Sequence, residues 1–184
     1  MTEAGRPWHE KLRERDPEAV RKLWEELSGP LRRFLSGMLR HGADAEDLAQ
    51  EAMVRFLAHA PEFRGEASVK TYLFQIAHNL ALNHLTSAPT RREVFPGVLP
   101  EASTLPAESP AEAVVRGEEE ARVRAAVALL PPQQRAVVLL RAWEDLSFRE
   151  VGTALSLAEG TAKAHYFFAL RNLRKHLEVR HDVP

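Results

Sequence analysis

The stretch Ser147-Phe148-Arg149-Glu150-Val151-Gly152-Thr153-Ala154-Leu155, followed by Ser156-Leu157-Ala158 and Glu159-Gly160-Thr161-Ala162-Lys163, decides the fold. Ser147 precedes an apolar-periodic run and has Glu150 three residues on, the spacing of a capping box, so a short helix starts there and runs through Leu155. Ser156 to Ala158 supplies a turn, and a last helix follows from about Glu159 to Leu177. That order predicts a helix-turn-helix. Its expected core is Phe148, Val151, Leu155, Leu157, Ala162, Tyr166, Leu170, Leu173 and Leu177. Thr161, Lys163, Ala164, His165, Phe167 and Phe168 then lie toward the start of the final helix, where a recognition helix meets base edges. The same pattern also fits a small three-helix bundle with no role on DNA.

Upstream of it, Val123, Val127 and Leu130 form one helical stripe, and Val137 to Leu140 lie inside the next. Pro131-Pro132 stops the first and starts the second, and Glu144-Asp145 reads as an acidic turn. Between Thr86 and Pro110 stand five of the chain's twelve prolines, with three serines and few large apolar residues. Proline removes donors and disfavours helix before it, so this stretch reads as a linker.

On the other side of the linker, a helix carrying Val20, Leu23, Trp24 and Leu27 is expected to break at Gly29-Pro30, with a second helix from Leu31 to about Arg40. The next, Asp44 to Ala60, has the stripe Ala45, Leu48, Ala49, Ala52, Met53, Phe56 and Leu57, with Asp44 placed to cap it. Its remaining face sets Asp47, Gln50, Glu51 and Val54 in one row, so two carboxylates project away from the packed side. A loop from Glu62 to Glu66 leads to a helix over Ser68 to Leu85 with the stripe Val69, Tyr72, Leu73, Ile76, Ala77 and Leu80. The opposite face offers Lys70, Phe74, Gln75, His78, Asn79, Leu82 and Asn83. Such a face can stack and read unpaired bases, or it can pack Phe74 and Leu82 against another helix. The expected class is all-α: a helical module over residues 1–85, a flexible Pro-rich acidic linker over 86–117, and a helix-turn-helix module over 118–184.

Composition narrows the function classes. The 184 residues are 45% hydrophobic and 28% charged, as in an ordinary folded protein, and contain no cysteine, which excludes disulfides, thiolate zinc sites and a Cys nucleophile. The net charge of -1 hides a segregation: residues 86–120 carry -4 and residues 121–184 carry +4. A basic C-terminal module is the placement expected of a nucleic-acid binder. No apolar run approaches the roughly 18 residues of a spanning helix, and the polar N-terminus has no signal core, so a cytoplasmic location is expected. The eight histidines show no metal-ligand spacing, and no Gly-rich phosphate loop or arranged nucleophile and base is present. Neither an enzyme, a metal site nor a cofactor is expected.

Three ordered motifs carry a resemblance: Ala43-Asp44-Ala45-Glu46-Asp47-Leu48-Ala49-Gln50-Glu51, then Tyr72-Leu73-Phe74-Gln75-Ile76-Ala77-His78-Asn79, then Leu130-Pro131-Pro132-Gln133-Gln134-Arg135 leading into Leu146-Ser147-Phe148-Arg149-Glu150-Val151 and Gly160-Thr161-Ala162-Lys163. In this order they resemble the compact extracytoplasmic-function group of the bacterial sigma-70 family, which keeps regions 2 and 4. The resemblance covers roughly Val20 to Leu85 and Arg122 to Leu177. It implies that Asp44, Glu46, Asp47, Gln50 and Glu51 dock on the beta-prime clamp helices of bacterial core RNA polymerase, and that the second module meets the beta flap. It implies that Phe63, Arg64, Ser68, Lys70, Tyr72, Gln75, His78 and Asn79 hold the opened -10 element of promoter DNA. Arg149, Thr161, Lys163, Ala164, His165, Phe167 and Phe168 would read the -35 element, and an anti-sigma factor is an implied partner.

This chain departs from the family at Tyr72, where Trp is usual, and at Gln75, His78, His165, Phe168 and Leu170, where Arg is frequent. Fewer fixed cations predict less reliance on phosphate and guanine contacts, and more on thymine methyls met by Phe167 or Phe168. A reading from a different class is a two-domain helix-turn-helix regulator whose N-terminal module senses a ligand or partner.

Overall fold

A computed structural model describes residues 8–39, 42–87 and 110–178. Among the described residues eight α-helices follow in order: α1 (Trp8–Arg13), α2 (Pro17–Met38), α3 (Gly42–His59), α4 (Val69–Ser87), α5 (Pro110–Ala128), α6 (Pro132–Val138), α7 (Phe148–Leu155) and α8 (Glu159–Glu178). A 3-10 turn over Ala60–Glu62 follows α3, and α6 continues as a π-helical turn over Leu139–Trp143. Among the described residues there is no strand, which agrees with the all-α expectation.

Helix α2 corrects the expected break at Gly29-Pro30. Pro30 lies inside one continuous helix, although it has no N–H to offer the carbonyl of Glu26. The helix holds because Leu23 and Leu27 on one side of the proline, and Leu31, Phe34, Leu35 and Met38 on the other, are buried in the same core. Asp16 caps its start, accepting from the Ala19 amide at 2.8 Å. Helix α3 begins at Gly42, so Asp44 stands in its first turn, where a carboxylate suits the positive end of the helix.

At the linker, α4 runs on to Ser87 and α5 begins at Pro110, eight residues ahead of the boundary expected at 118. Proline at a first helical position loses no internal hydrogen bond, so the residue that closes the Pro-rich stretch also starts a helix. Residues 88–109, the rest of the expected linker, lie outside the described residues.

The helix-turn-helix forms as expected. Ser147 accepts from the Glu150 amide at 3.3 Å while the Glu150 carboxylate takes the Ser147 N–H at 2.8 Å, closing the capping box. At the other end of α7, Ser156 adopts φ 56° and the Leu157 amide donates back to the Gly152 carbonyl at 2.8 Å. Gly152 is needed there, since a Cβ would stand 2.7 Å from the Leu157 carbonyl oxygen. Leu170 corrects the expected core: it is 47% exposed, and the small Ala169 takes the buried position on α8.

The two modules share one core. Helix α7 packs along α4, and α6 with its π-helical extension lies against α2. Leu139 fills the space opposite Gly37, where a Cβ would stand only 2.7 Å from its Cδ2. Arg135, buried, donates through Nη1 to the Met38 carbonyl at 3.0 Å and through Nη2 to the Leu130 carbonyl at 3.1 Å, tying the α5–α6 corner to the end of α2.

Candidate functional site

Three surfaces gather the residues singled out in the sequence. The first is the outer side of α3. With Ala45, Ala49, Ala52 and Met53 turned inward, Asp47 and Val54 are exposed, and Glu51 pairs with Arg55 at 2.6 Å along the helix. Asp44 stands on one flank, 3.3 Å from His84 Nε2 of α4. Glu46 and Gln50 stand on the other, where with Trp24, Ser28, Gly29 and Arg32 of α2 they line a shallow groove. The five predicted residues therefore form an arc from α4 to α2. Trp24, expected in a core stripe, is 45% exposed and walls that groove. Its i, i+3 spacing with Leu27 could not reveal this, because which side of α2 stays open depends on where α3 docks.

The second surface is the loop and helix expected to handle opened DNA. Phe63 packs edge-to-face on Phe56 at 5.9 Å and lies tilted against Tyr72 at 5.5 Å, an aromatic anchor that fixes where the following loop leaves α3. Arg64 is exposed, Gly65 turns the chain at φ 74°, and Ser68 caps α4 by accepting from the Thr71 amide at 3.0 Å. The loop and the start of α4 face α7 across a cleft of about 610 Å³ lined by Phe63, Ser68, Lys70, Arg149, Glu150 and Thr153 among others.

Beyond that cleft, the α4 face is open only in part. Lys70 Nζ donates to the Glu144 carbonyl at 2.7 Å, and Gln75 Nε2 reaches Ser156 Oγ at 3.4 Å, so both are engaged by the second module. Phe74 is buried edge-to-face on Phe34 of α2 at 5.3 Å. His78 is 3% exposed with no partner for Nε2, and burial lowers its pKa from 6.5 to about 4, so the ring is neutral. Asn79 remains exposed. Contacts across 74 and 81 residues of sequence engage Lys70 and Gln75, and Phe74, packed on Phe34 of the same module, follows the packing alternative.

Glu144 was missed as more than a turn residue. Its buried carboxylate lies 3.2 Å from Arg33 Nη2 and 3.7 Å from Lys70 Nζ, so it bridges α2 and α4 from the second module. Burial pushes its carboxyl above the usual carboxylate range, against the opposing pull of Arg33 and Lys70.

The third surface is α8 with the start of α7. Arg149, Thr161, Lys163, Ala164, Phe167 and Phe168 are exposed, and His165 is half-buried. Lys163 pairs with Glu159 at 2.6 Å. Phe148 and Tyr166, edge-to-face at 5.4 Å, lock α8 onto α7 from beneath. Among the described residues, no helix is long and apolar enough to cross a membrane and no three His, Asp or Glu residues are grouped to hold a metal ion.

Comparison with known proteins places the chain in a family. Residues 23–90 match Sigma-70 region 2 and residues 120–173 match Sigma-70, region 4. The chain is 31% identical to the RNA polymerase sigma-H factor of Pseudomonas aeruginosa, covering 86% of this chain and 84% of that one. It is 31% identical to the ECF RNA polymerase sigma factor RpoE of Cereibacter sphaeroides, over 89% and 88% of the two chains, and 30% identical to the ECF RNA polymerase sigma factor SigX of Bacillus subtilis, over 88% and 85%. The fold resembles that of CnrH, solved in complex with the cytosolic domain of CnrY, with a TM-score of 0.71 at 16% identity over 94% of this chain and 96% of that one. It also resembles the sigma factor RpoE of Bartonella quintana, solved with the anti-sigma factor NepR, at 0.66 and 19% over 86% and 96%. With both regions matched in order and full-length relatives at 31% identity, the chain belongs to the ECF group of the sigma-70 family of RNA polymerase sigma factors, which act in transcription initiation.

Proposed function

We propose that this sigma factor divides its work among the three surfaces. The α3 arc of Asp44, Glu46, Asp47, Gln50 and Glu51, with the Trp24 groove at its edge, docks on core RNA polymerase. The Phe63–Ser68 loop and the α4 face through Asn79 hold the opened -10 element, and α8 reads the -35 duplex. The observation that carries this reading is which surfaces are open: the α3 arc and the outer side of α8 face solvent, while Lys70 and Gln75 are held by the second module. The packed form thus has its polymerase-docking side ready and its DNA-opening side covered at Lys70 and Gln75, with Arg64 and Asn79 still exposed, and the modules must part before the whole α4 face can meet unpaired bases.

Domain roles follow the same division, with region 2 over the first module and region 4 over the second. The chain acts in the cytoplasm, where polymerase is, and has no catalytic role of its own. An anti-sigma factor is a fitting partner, since a protein that stabilises the packed form would keep α4 covered.

Transcription with purified core polymerase on a promoter library tests the reading. The expected result is initiation at a defined set of promoters sharing two spaced elements, dependent on this protein. Tight duplex binding by the protein alone, with no polymerase-dependent initiation, would overturn it in favour of a helix-turn-helix regulator.

A further inference from the structure

Opposite the buried Ala162 and Ala169, the outward stripe of α8 runs Gly160, Lys163, Ala164, Phe167, Phe168 and Arg171, every one exposed and each three or four residues from the next turn's member. Its first turns are small at Gly160 and Ala164, its centre is two bare rings, and cations stand on either side of them. Phe167 is 65% exposed and Phe168 45%. The rings meet edge-to-face at 5.8 Å, and the Arg171 guanidinium lies over Phe168, 5.7 Å from its centroid. They are therefore held as a pair, with one face of Phe168 already occupied.

Adjacent exposed rings on a rigid helix form a contact surface, and the flanking charges choose what it contacts. Arg171 on the stripe and Lys175 beyond it, with Lys163 and Arg174, which phosphates would draw from their pairs with Glu159 at 2.6 Å and Glu178 at 2.7 Å, suit a polyanion with charge along both walls of a groove. A major groove admits a helix of this width, and small residues at the leading turn allow close approach. On the groove floor, phenyl rings cannot hydrogen-bond to guanine or adenine; the apolar group that a base pair offers there is the C5 methyl of thymine.

We propose that Phe167 and Phe168 read the C5 methyls of two neighbouring thymines in the upstream promoter duplex, and that Phe168 sets this preference. The inference rests on α8 being the -35 reader, as proposed above. Arg171, stacked on Phe168, reaches for the adjacent phosphate and steadies the ring against the methyl. Recognition of this kind distinguishes thymine from cytosine by shape and apolar contact, where a guanidinium at the same place would select guanine.

The test uses the full chain assembled with core RNA polymerase. Promoter duplexes with the upstream element randomised are selected for retention, and each enriched thymine is then replaced by deoxyuridine, which removes only the methyl. Two adjacent thymines should be enriched, and each deoxyuridine should weaken retention about three- to fivefold, the scale of one buried methyl. Phe168→Ala, at an exposed position, should lower retention of the thymine duplex to that of the duplex with deoxyuridine at one of the two positions, and should make the variant indifferent to the methyl there. Equal retention of the two duplexes by the unaltered protein would overturn the proposal, as would a Phe168→Ala variant that still discriminates thymine from deoxyuridine at both positions. Loss of core polymerase binding by Phe168→Ala would assign the rings to a protein contact and overturn it as well. If holoenzyme forms but no upstream element is enriched, α8 is not the -35 reader; that failure is separate from an enriched element indifferent to the methyl.

Discussion

Gly37→Ala should drive a wedge into the seam between the modules. The added Cβ would stand 2.7 Å from Leu139 Cδ2 and 2.8 Å from Cδ1, inside the repulsive range for carbon atoms. Leu139 is wholly buried, so its methyls have no open space to move into, and overpacking of this size costs about 1–3 kcal/mol. Alanine favours a helix interior over glycine by about 0.5–1 kcal/mol. The net expectation is a destabilisation of up to about 2.5 kcal/mol. The sign should invert once Leu139 is cut back: in a Leu139→Ala background the clash is gone, and Gly37→Ala should stabilise by its helix preference alone. Urea unfolding of the four proteins in this double-mutant cycle measures the coupling, expected at about 1–3 kcal/mol. A Gly37→Ala destabilisation that persists unchanged without the Leu139 side chain would refute the seam, because the strain would then lie within the first module.

Three further outcomes follow from individual residues. His78 is neutral and buried with its pKa lowered to about 4, so its contribution is whole above the free value of 6.5 and lost as pH falls toward 4, about 3 kcal/mol in all. Urea unfolding across that range should show the loss, and His78→Leu should abolish it; Glu144, with a raised pKa, works in the opposite sense and is unaffected by that variant. Ser147→Ala should cost about 1 kcal/mol by breaking the capping box, read as a lower urea midpoint. It should also reduce the stability that the intact cap loses as pH drops below the ordinary value of 4.5 for Glu150, since the Ser147 hydroxyl bond that lowers its pKa most is lost while the backbone N–H bond remains. Asn79→Ala should impair promoter opening, measured by permanganate reactivity of the -10 region, while leaving -35 occupancy near that of the unaltered holoenzyme; equal loss of both would refute the division of labour between α4 and α8.

How far the sequence could be read depended on the range of the interaction involved. The capping box at Ser147 and Glu150 spans three residues, and its elements stand where the spacing put them. The α3 stripe was legible for the same reason, since burial of Ala45, Ala49, Ala52, Met53 and Phe56 follows from one helix's period. Pro30 misled because its local cost is real but is outweighed by leucines and a phenylalanine buried on both sides of it. The α4 face misled more seriously: nothing near Lys70 in sequence announces Glu144, yet the bond between them decides what Lys70 can do in the packed form. Trp24 and Leu170 show the same limit, because periodicity finds an apolar side without saying how much of it a neighbouring helix will cover.

The central claim is that the outer side of α3 joins this protein to RNA polymerase. Size-exclusion chromatography with core bacterial RNA polymerase tests it directly, comparing the unaltered chain with Asp47→Arg/Glu51→Arg, whose exposed and half-exposed positions leave the fold intact. One-to-one co-elution is expected, and the double variant should lose it while its unfolding midpoint falls only slightly, from loss of the Glu51–Arg55 pair and the new arginine neighbours along α3. Co-elution by both proteins alike would contradict the docking surface, and co-elution by neither would contradict the function.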